Sequence, residues 1–352
     1  MTSSMNSTSS WISARRQIHL YVPKHFGVVL VTSLILLILC VLASFALGSR
    51  MVGFDSVIDG LLHQNIDSYE ANIVRKRIPR TIFSLCCGGA LGVSGALMQA
   101  ATRNPIADPS ILGVNTGASL FIVCGIAFFN ISSANEYIWL ALIGAAITAV
   151  FVFGIGSMGR SGSTPIKLVL AGAATSAALS SLVIAIMIPR SHVMDQFRFW
   201  QVGSVGSGSW NAITTFAPFL IIGLLIAILS APALNALALG DDVATGLGVK
   251  TGILRLVASL GAVLLCGATT ALAGPIGFIG LLSAHVMRLM LGPDLRFVIP
   301  MSAISGAIIL TLSDVVGRLV GSPGELEVGV VTAFIGAPLL IILAMRLKVS
   351  SL

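Results

Sequence analysis

The stretch "ILRLVASLGAVLLCGATTALAGPIGFIGLLSAHVMRLML", residues 253–291, decides how many times this chain crosses a membrane. It is too long for one membrane helix, which needs about 20 apolar residues, and short for two. The interruption is "AGPIG" at 273–277. Pro275 removes a backbone donor, and Gly274 and Gly277 lower helix stability. The reading is a break there, with one span over 253–272 and another over 275–291.

Eight further apolar runs lie outward from this stretch, at 26–48, 81–101, 111–130, 137–157, 168–188, 212–231, 298–316 and 328–345. With the divided run they make ten. Composition agrees, because 56% of the residues are hydrophobic and 9% charged, with a mean hydropathy of +1.00. A soluble domain carries about a quarter of its residues charged. The fold class is therefore an all-α polytopic membrane protein. Its 37 glycines, with runs such as "GGALGVSGALMQA" (88–100) and "AGAATSAALSS" (171–181), predict a tightly packed bundle, since small residues let helix backbones approach in lipid.

Both ends are basic, with Arg15, Arg16 and Lys24 before the first run and Arg346 and Lys348 beside the last. Cations flanking spans favour the cytoplasmic side, so both termini are expected there, which requires an even number of crossings. The organisation expected is a tail over 1–25, a transmembrane domain over 26–347 and a short tail over 348–352. The first run exceeds a signal-peptide core of about 7–15 residues and reads as a retained span.

Several functions are disfavoured. The net charge of +7 is spread between apolar runs and forms no basic stripe for nucleic acid. The five cysteines lie inside apolar runs without metal-ligand spacing. No phosphate loop or hydrolase motif occurs, so neither a catalytic residue nor a bound metal or cofactor is expected. Carboxylates inside spans, which an ion-coupled carrier needs, are nearly missing. Asp314 stands near a span end and can pair with Arg318 one helical turn later.

Five polar stretches remain. "RKRIPR" (75–80) puts four cations in six positions and falls on the external face by the span count. "TRNPIADPSILGVNTGASL" (102–120) is cytoplasmic. Pro105 forces Asn104 out of the helical region, and Ser110 is placed to cap the next helix. "APALNALALGDDVATGLGVKTG" (231–252) is also cytoplasmic and reads as two short surface helices. Asp241 and Asp242 suit a helix start, and Leu237, Leu239, Val243 and Leu247 suit an apolar face for a partner. "MDQFRFWQVGSVGSGSW" (194–210) and "DVVGRLVGSPGELEVG" (314–329) are external.

Taken in order, these stretches resemble the FecCD family of binding-protein-dependent ABC importer permeases, which take up iron-siderophores, haem and cobalamin. The matching motifs are "RIPR" (77–80), "GALGVSGALMQ" (89–99), "RNPIADPSILGVNTGA" (103–118), "FWQVGS" (199–204), "LNALALGDDVATGLGV" (234–249), "LAGPIGFIGL" (272–281) and "GELEVGVVTAFIGAPLLI" (324–341). The wording of 103–120 and 195–204 looks most like permeases for ferric catecholate siderophores. The resemblance implies ten helices in the bacterial inner membrane and a second permease subunit, identical or related. It also implies a cytoplasmic ABC ATPase dimer, an external binding protein and ferric siderophore cargo. Haem or cobalamin is the alternative cargo.

The resemblance further implies roles for particular residues. Arg77, Arg80 and Arg318 would meet acidic residues of the binding protein. Asn104, Pro105 and Ile106 would close the cytoplasmic end of the path, with a second gate loop at 161–167 that offers Pro165 and Ile166. The segment 232–252 would hold the ATPase-coupling helices, with Leu239, Gly240, Asp241, Asp242, Ala244, Leu247 and Gly248 at the contact. Ala284 departs from the family, which commonly has Pro before the histidine of "LLSAH".

Overall fold

The computed structural model describes residue 23 and residues 25–62, 68–131, 133–158 and 165–346, and these form a bundle of helices with no strand among them. Ten elements carry the bundle. They are α1 (Phe26–Ala46), α3 (Tyr69–Thr102), α4 (Val114–Phe129), α5 (Ala134–Gly156), α6 (Pro165–Met187), α8 (Trp210–Ala238), α10 (Thr251–Ala273), α11 (Ile279–Leu291), α12 (Leu295–Val320) and α13 (Val328–Arg346). Shorter helices α2 (Phe54–Leu62), α7 (Ser191–Gln201) and α9 (Asp241–Gly246) lie between them. Among the described residues, seven helices are long and apolar enough to cross a membrane, and α4, α11 and α13 are shorter apolar helices. The polar tails at 1–22 and 347–352, and residues 161–164 of the expected second gate loop, lie outside the described residues.

The break at 274–278 is real and is built into the bundle. Gly274 takes φ +75 and Phe278 the left-handed value φ +69. The α11 helix is only 13 residues, about 20 Å, so the non-helical segment before it completes the crossing. Such backbone is tolerated at membrane depth only where protein covers it or where it lines a cavity. Here the Ser204 amide donates to the Ala273 carbonyl at 2.6 Å. Gly274 faces the Trp200 carbonyl so closely that a Cβ there would collide with it.

The second expected span is the largest revision. α3 begins at Tyr69, twelve residues before the apolar run at 81, and includes RKRIPR and Pro79. Ser68 caps it by accepting from the Ala71 amide at 3.1 Å. At 34 residues it is about 51 Å long, well beyond a hydrocarbon core of about 30 Å, so its basic first turns project past the apolar runs. It ends at Thr102, and Arg103 follows in the left-handed region (φ +50), just before Asn104. The following 3-10 turn, Pro109–Leu112, is capped by Asp108, whose carboxylate accepts from the Ser110 amide at 2.9 Å. Ser110 itself caps nothing; Gly113 at φ +73 leads into α4 without a side-chain cap.

α3 is the centre of the bundle, and its glycines explain how. A Cβ at Gly88 would strike the carbonyl of Gly306 in α12, and one at Gly92 the carbonyl of Ser302. In lipid, where apolar burial drives little association, this close backbone approach supplies packing. Gly92→Leu should therefore force α3 and α12 apart at a cost of about 3 kcal/mol. Gly27→Leu, at an exposed glycine where an added Cβ would meet no other part of the molecule within 4 Å, is the control. Melting of the detergent-solubilised variants should fall sharply for the first and hold for the second.

Candidate functional site

At the end of the bundle where α1 finishes and α3 begins, the structure brings together Arg77, Arg80 and Arg318, as the resemblance implied. Their environments differ. Arg77 Nη1 donates to the Phe45 carbonyl and Nη2 to the Arg50 carbonyl, both at 2.7 Å. Arg318 Nη1 donates to the carbonyls of Ser44 and Leu47, both at 3.1 Å, and Nη2 donates to Ser44 Oγ at 2.8 Å. The last carbonyls of a helix lack intrahelical partners and carry its negative dipole end. Two buried arginines, 8% and 1% exposed, thus cap the C-terminus of α1.

Arg80 faces the other way. Its Nη2 meets Asp314 Oδ1 and its Nη1 meets Glu325 Oε2, each at 2.7 Å. Asp314 also pairs with Arg318 Nε at 3.1 Å, the one-turn pair expected from sequence. An open cavity of about 340 Å³ stands over this cluster, lined by Arg50, Lys76, Arg77, Arg80 and Arg318 against the single carboxylate of Glu325. Even with Asp314 beneath, five cations stand against two carboxylates, which makes it an anion-attracting basin. Arg50 and Glu325 were not legible as members, because nothing in the sequence brings 50 and 325 beside 80.

At the opposite end, the expected pair of surface helices is one. α8 continues to Ala238, so 232–238 belongs to the long helix, and α9 (Asp241–Gly246) stands alone. The reason is that Pro232, near the α8 C-terminus, does not break the helix. Leu239, Val243 and Leu247 are 66%, 49% and 64% exposed, and Asp242 and Gly248 are exposed beside them. Ala244 and Leu237 are fully buried, so Leu237 leaves the expected apolar face. Gly240 is half-buried at φ +113, and Asp241 binds Arg255 Nη2 at 2.8 Å.

Beside α9 lies the loop after α3. Asn104 Oδ1 accepts from the Ile106 amide at 3.1 Å, closing a tight turn around Pro105, and Ile106 is 39% exposed. Between the two ends is a cavity of about 470 Å³. Asn115, Thr116 and Ser119 of α4, Ser180 of α6, Gln201 of α7 and Phe278 at the break line it, with no charged side chain among its lining residues. Asn115 Oδ1 accepts from Thr270 Oγ1 at 2.9 Å, which fixes the amide at the cavity wall.

A family model described as the FecCD transport family matches residues 36–346. The chain belongs to the FecCD transport family. Among relatives, this FecCD chain is 42% identical over 315 residues to the ferric enterobactin transport system permease protein FepD of Escherichia coli, covering 89% of the chain and 93% of the relative. It is 40% identical over 319 residues to the probable siderophore transport system permease protein YfiZ of Bacillus subtilis, covering 91% and 96%. A solved structure described as an inward-facing conformation of a metal-chelate type ABC transporter aligns with a TM-score of 0.79 and 26% identity, covering 92% of this FecCD chain and all of that one. The ten-helix bundle with its broken α10–α11 crossing is thus an ABC-transporter permease fold.

Proposed function

We propose that this chain is the membrane permease of an ABC importer that carries a ferric siderophore across the bacterial inner membrane, driven by ATP hydrolysed on a separate subunit. The likeness to FepD over 93% of that protein's length carries the cargo class. The geometry supports the rest. The cationic basin around Arg80 is the docking face for an acidic binding protein. A guanidinium meets a carboxylate bidentately and so fixes orientation as well as charge. Arg77 and Arg318 shape the basin from beneath. The exposed Leu239, Val243 and Leu247 seat a cytoplasmic ATPase, and the turn at Asn104, Pro105 and Ile106 closes that end of the path.

A second permease copy, or a related chain, completes the path. α6 exposes Ala173, Ala174, Ala177 and Ala178, a small-residue face suited to close helix contact. The uncharged cavity beside Asn115, Ser119 and Gln201 offers hydrogen bonds without ion pairs, so cargo passes without being held. The test is uptake of a ferric tris-catecholate into proteoliposomes holding the permease, ATPase and binding protein. Uptake should require ATP and survive an ionophore. Uptake that ignores ATP and stops when the ion gradient collapses would instead make this an ion-coupled carrier. Haem and cobalamin as competitors should leave the uptake unchanged.

A further inference from the structure

Resting on that reading, we propose that Asp241 is the positioning residue that carries displacement of α9 to the gate turn at 104–106, through Arg103. The α9 helix has six residues and is joined at both ends by glycines in left-handed backbone, Gly240 at φ +113 and Gly248 at φ +84. Neither has any atom within 4 Å of where a Cβ would stand. Both are therefore uncrowded joints; the Gly240 amide donates to the Leu237 carbonyl at 3.1 Å and the Val249 amide to the Ala244 carbonyl at 3.0 Å, so a tilt of α9 flexes these two turns.

Two residues tie α9 inward. Ala244 is packed, and Asp241 is the polar link. Its carboxylate takes Arg255 Nη2 at 2.8 and 3.1 Å and Arg103 Nη2 at 3.5 Å. The two guanidiniums have different attachments. Arg255 is 6% exposed and donates Nε to the Ala101 carbonyl at 3.3 Å, which makes it a fixed post between α10 and the end of α3. Arg103 is exposed and is the first residue beyond α3, held at φ +50. Its neighbour Asn104 closes the turn through the Ile106 amide, and the Ala107 amide donates to the Asn104 carbonyl at 3.1 Å. Arg103 and the turn therefore form one block, joined to the end of α3 by the Arg103 and Asn104 amides, which donate to the Ala100 and Gln99 carbonyls at 3.3 and 3.2 Å. A push on the leucine face of α9 shifts the carboxylate between a post that does not yield and a side chain that does, and the turn follows.

Exposed ion pairs contribute almost nothing to stability, so cutting the Arg103 link should leave melting unchanged. That separates coupling from a merely structural role. In proteoliposomes holding the assembled importer, Arg103→Gln should lower ferric tris-catecholate moved per ATP hydrolysed by at least about fivefold. The ATPase should still co-purify, and Arg103→Lys should restore most of the ratio. Asp241→Asn, which also loses the Arg255 pair, should lower the ratio at least as far, and the double variant should be no worse than Asp241→Asn, because that change already removes the link Arg103→Gln cuts. A wild-type ratio for Arg103→Gln, or losses that add in the double variant, would overturn the inference while leaving the importer reading in place. Absence of ATP-driven uptake by the unsubstituted complex would overturn both.

Discussion

Arg80→Gln should weaken binding-protein docking by roughly thirtyfold to four-thousandfold while the permease stays folded. Truncating one partner of a buried interfacial charge pair costs about 2–5 kcal/mol, and each 1.4 kcal/mol is tenfold. Arg80 is the arginine of the three whose guanidinium reaches from the basin floor at Asp314 to the exposed carboxylate of Glu325. Its loss leaves Asp314 paired with Arg318, which preserves the floor. Arg77→Gln should behave differently. Its donors serve the Phe45 and Arg50 carbonyls, so the main effect falls on the α1 terminus and on melting temperature. Binding of the purified binding protein at low and high salt, alongside thermal melting, separates the two. Unchanged affinity for Arg80→Gln at low salt would remove the basin from docking.

The second large effect is at the other end. Replacing Leu239, Val243 and Leu247 together with Asp should abolish co-purification of the ATPase, lowering affinity by about a hundredfold or more. Burying each such side chain is worth about 1.5–3 kcal/mol, and three carboxylates in the same contact add desolvation cost. All three residues are solvent-facing, so melting of the permease alone should not change. Retained assembly would show that the ATPase sits elsewhere.

Most of the bundle was legible because apolar run length is a direct consequence of membrane thickness, and each expected span matches one observed helix. The break at Pro275 was legible for the same local reason. Hydropathy failed where a helix leaves the apolar run. It began the second span at 81, although the same helix already runs through RKRIPR and Pro79. It also missed α7, whose charged and aromatic residues give no apolar run. The site was legible only in part. That Arg77, Arg80 and Arg318 gather at one end follows from topology. That two of them are buried does not, because their partners are carbonyls at and just beyond the end of α1, up to 274 residues away in sequence. Likewise Asp241 reads as a helix start, while its bonds to Arg255 and Arg103 depend on how α8, α10 and α3 converge.

Sidedness underlies every role assigned here. Lys76→Cys and Asp242→Cys, each in the otherwise unchanged chain and compared with the parent as background, can be treated with a membrane-impermeant maleimide on sealed cells. Both parent side chains are exposed, at opposite ends of the bundle. Labelling is expected at 76 in sealed cells, and at 242 only after permeabilisation. Labelling at 242 in sealed cells with silence at 76 would contradict this orientation.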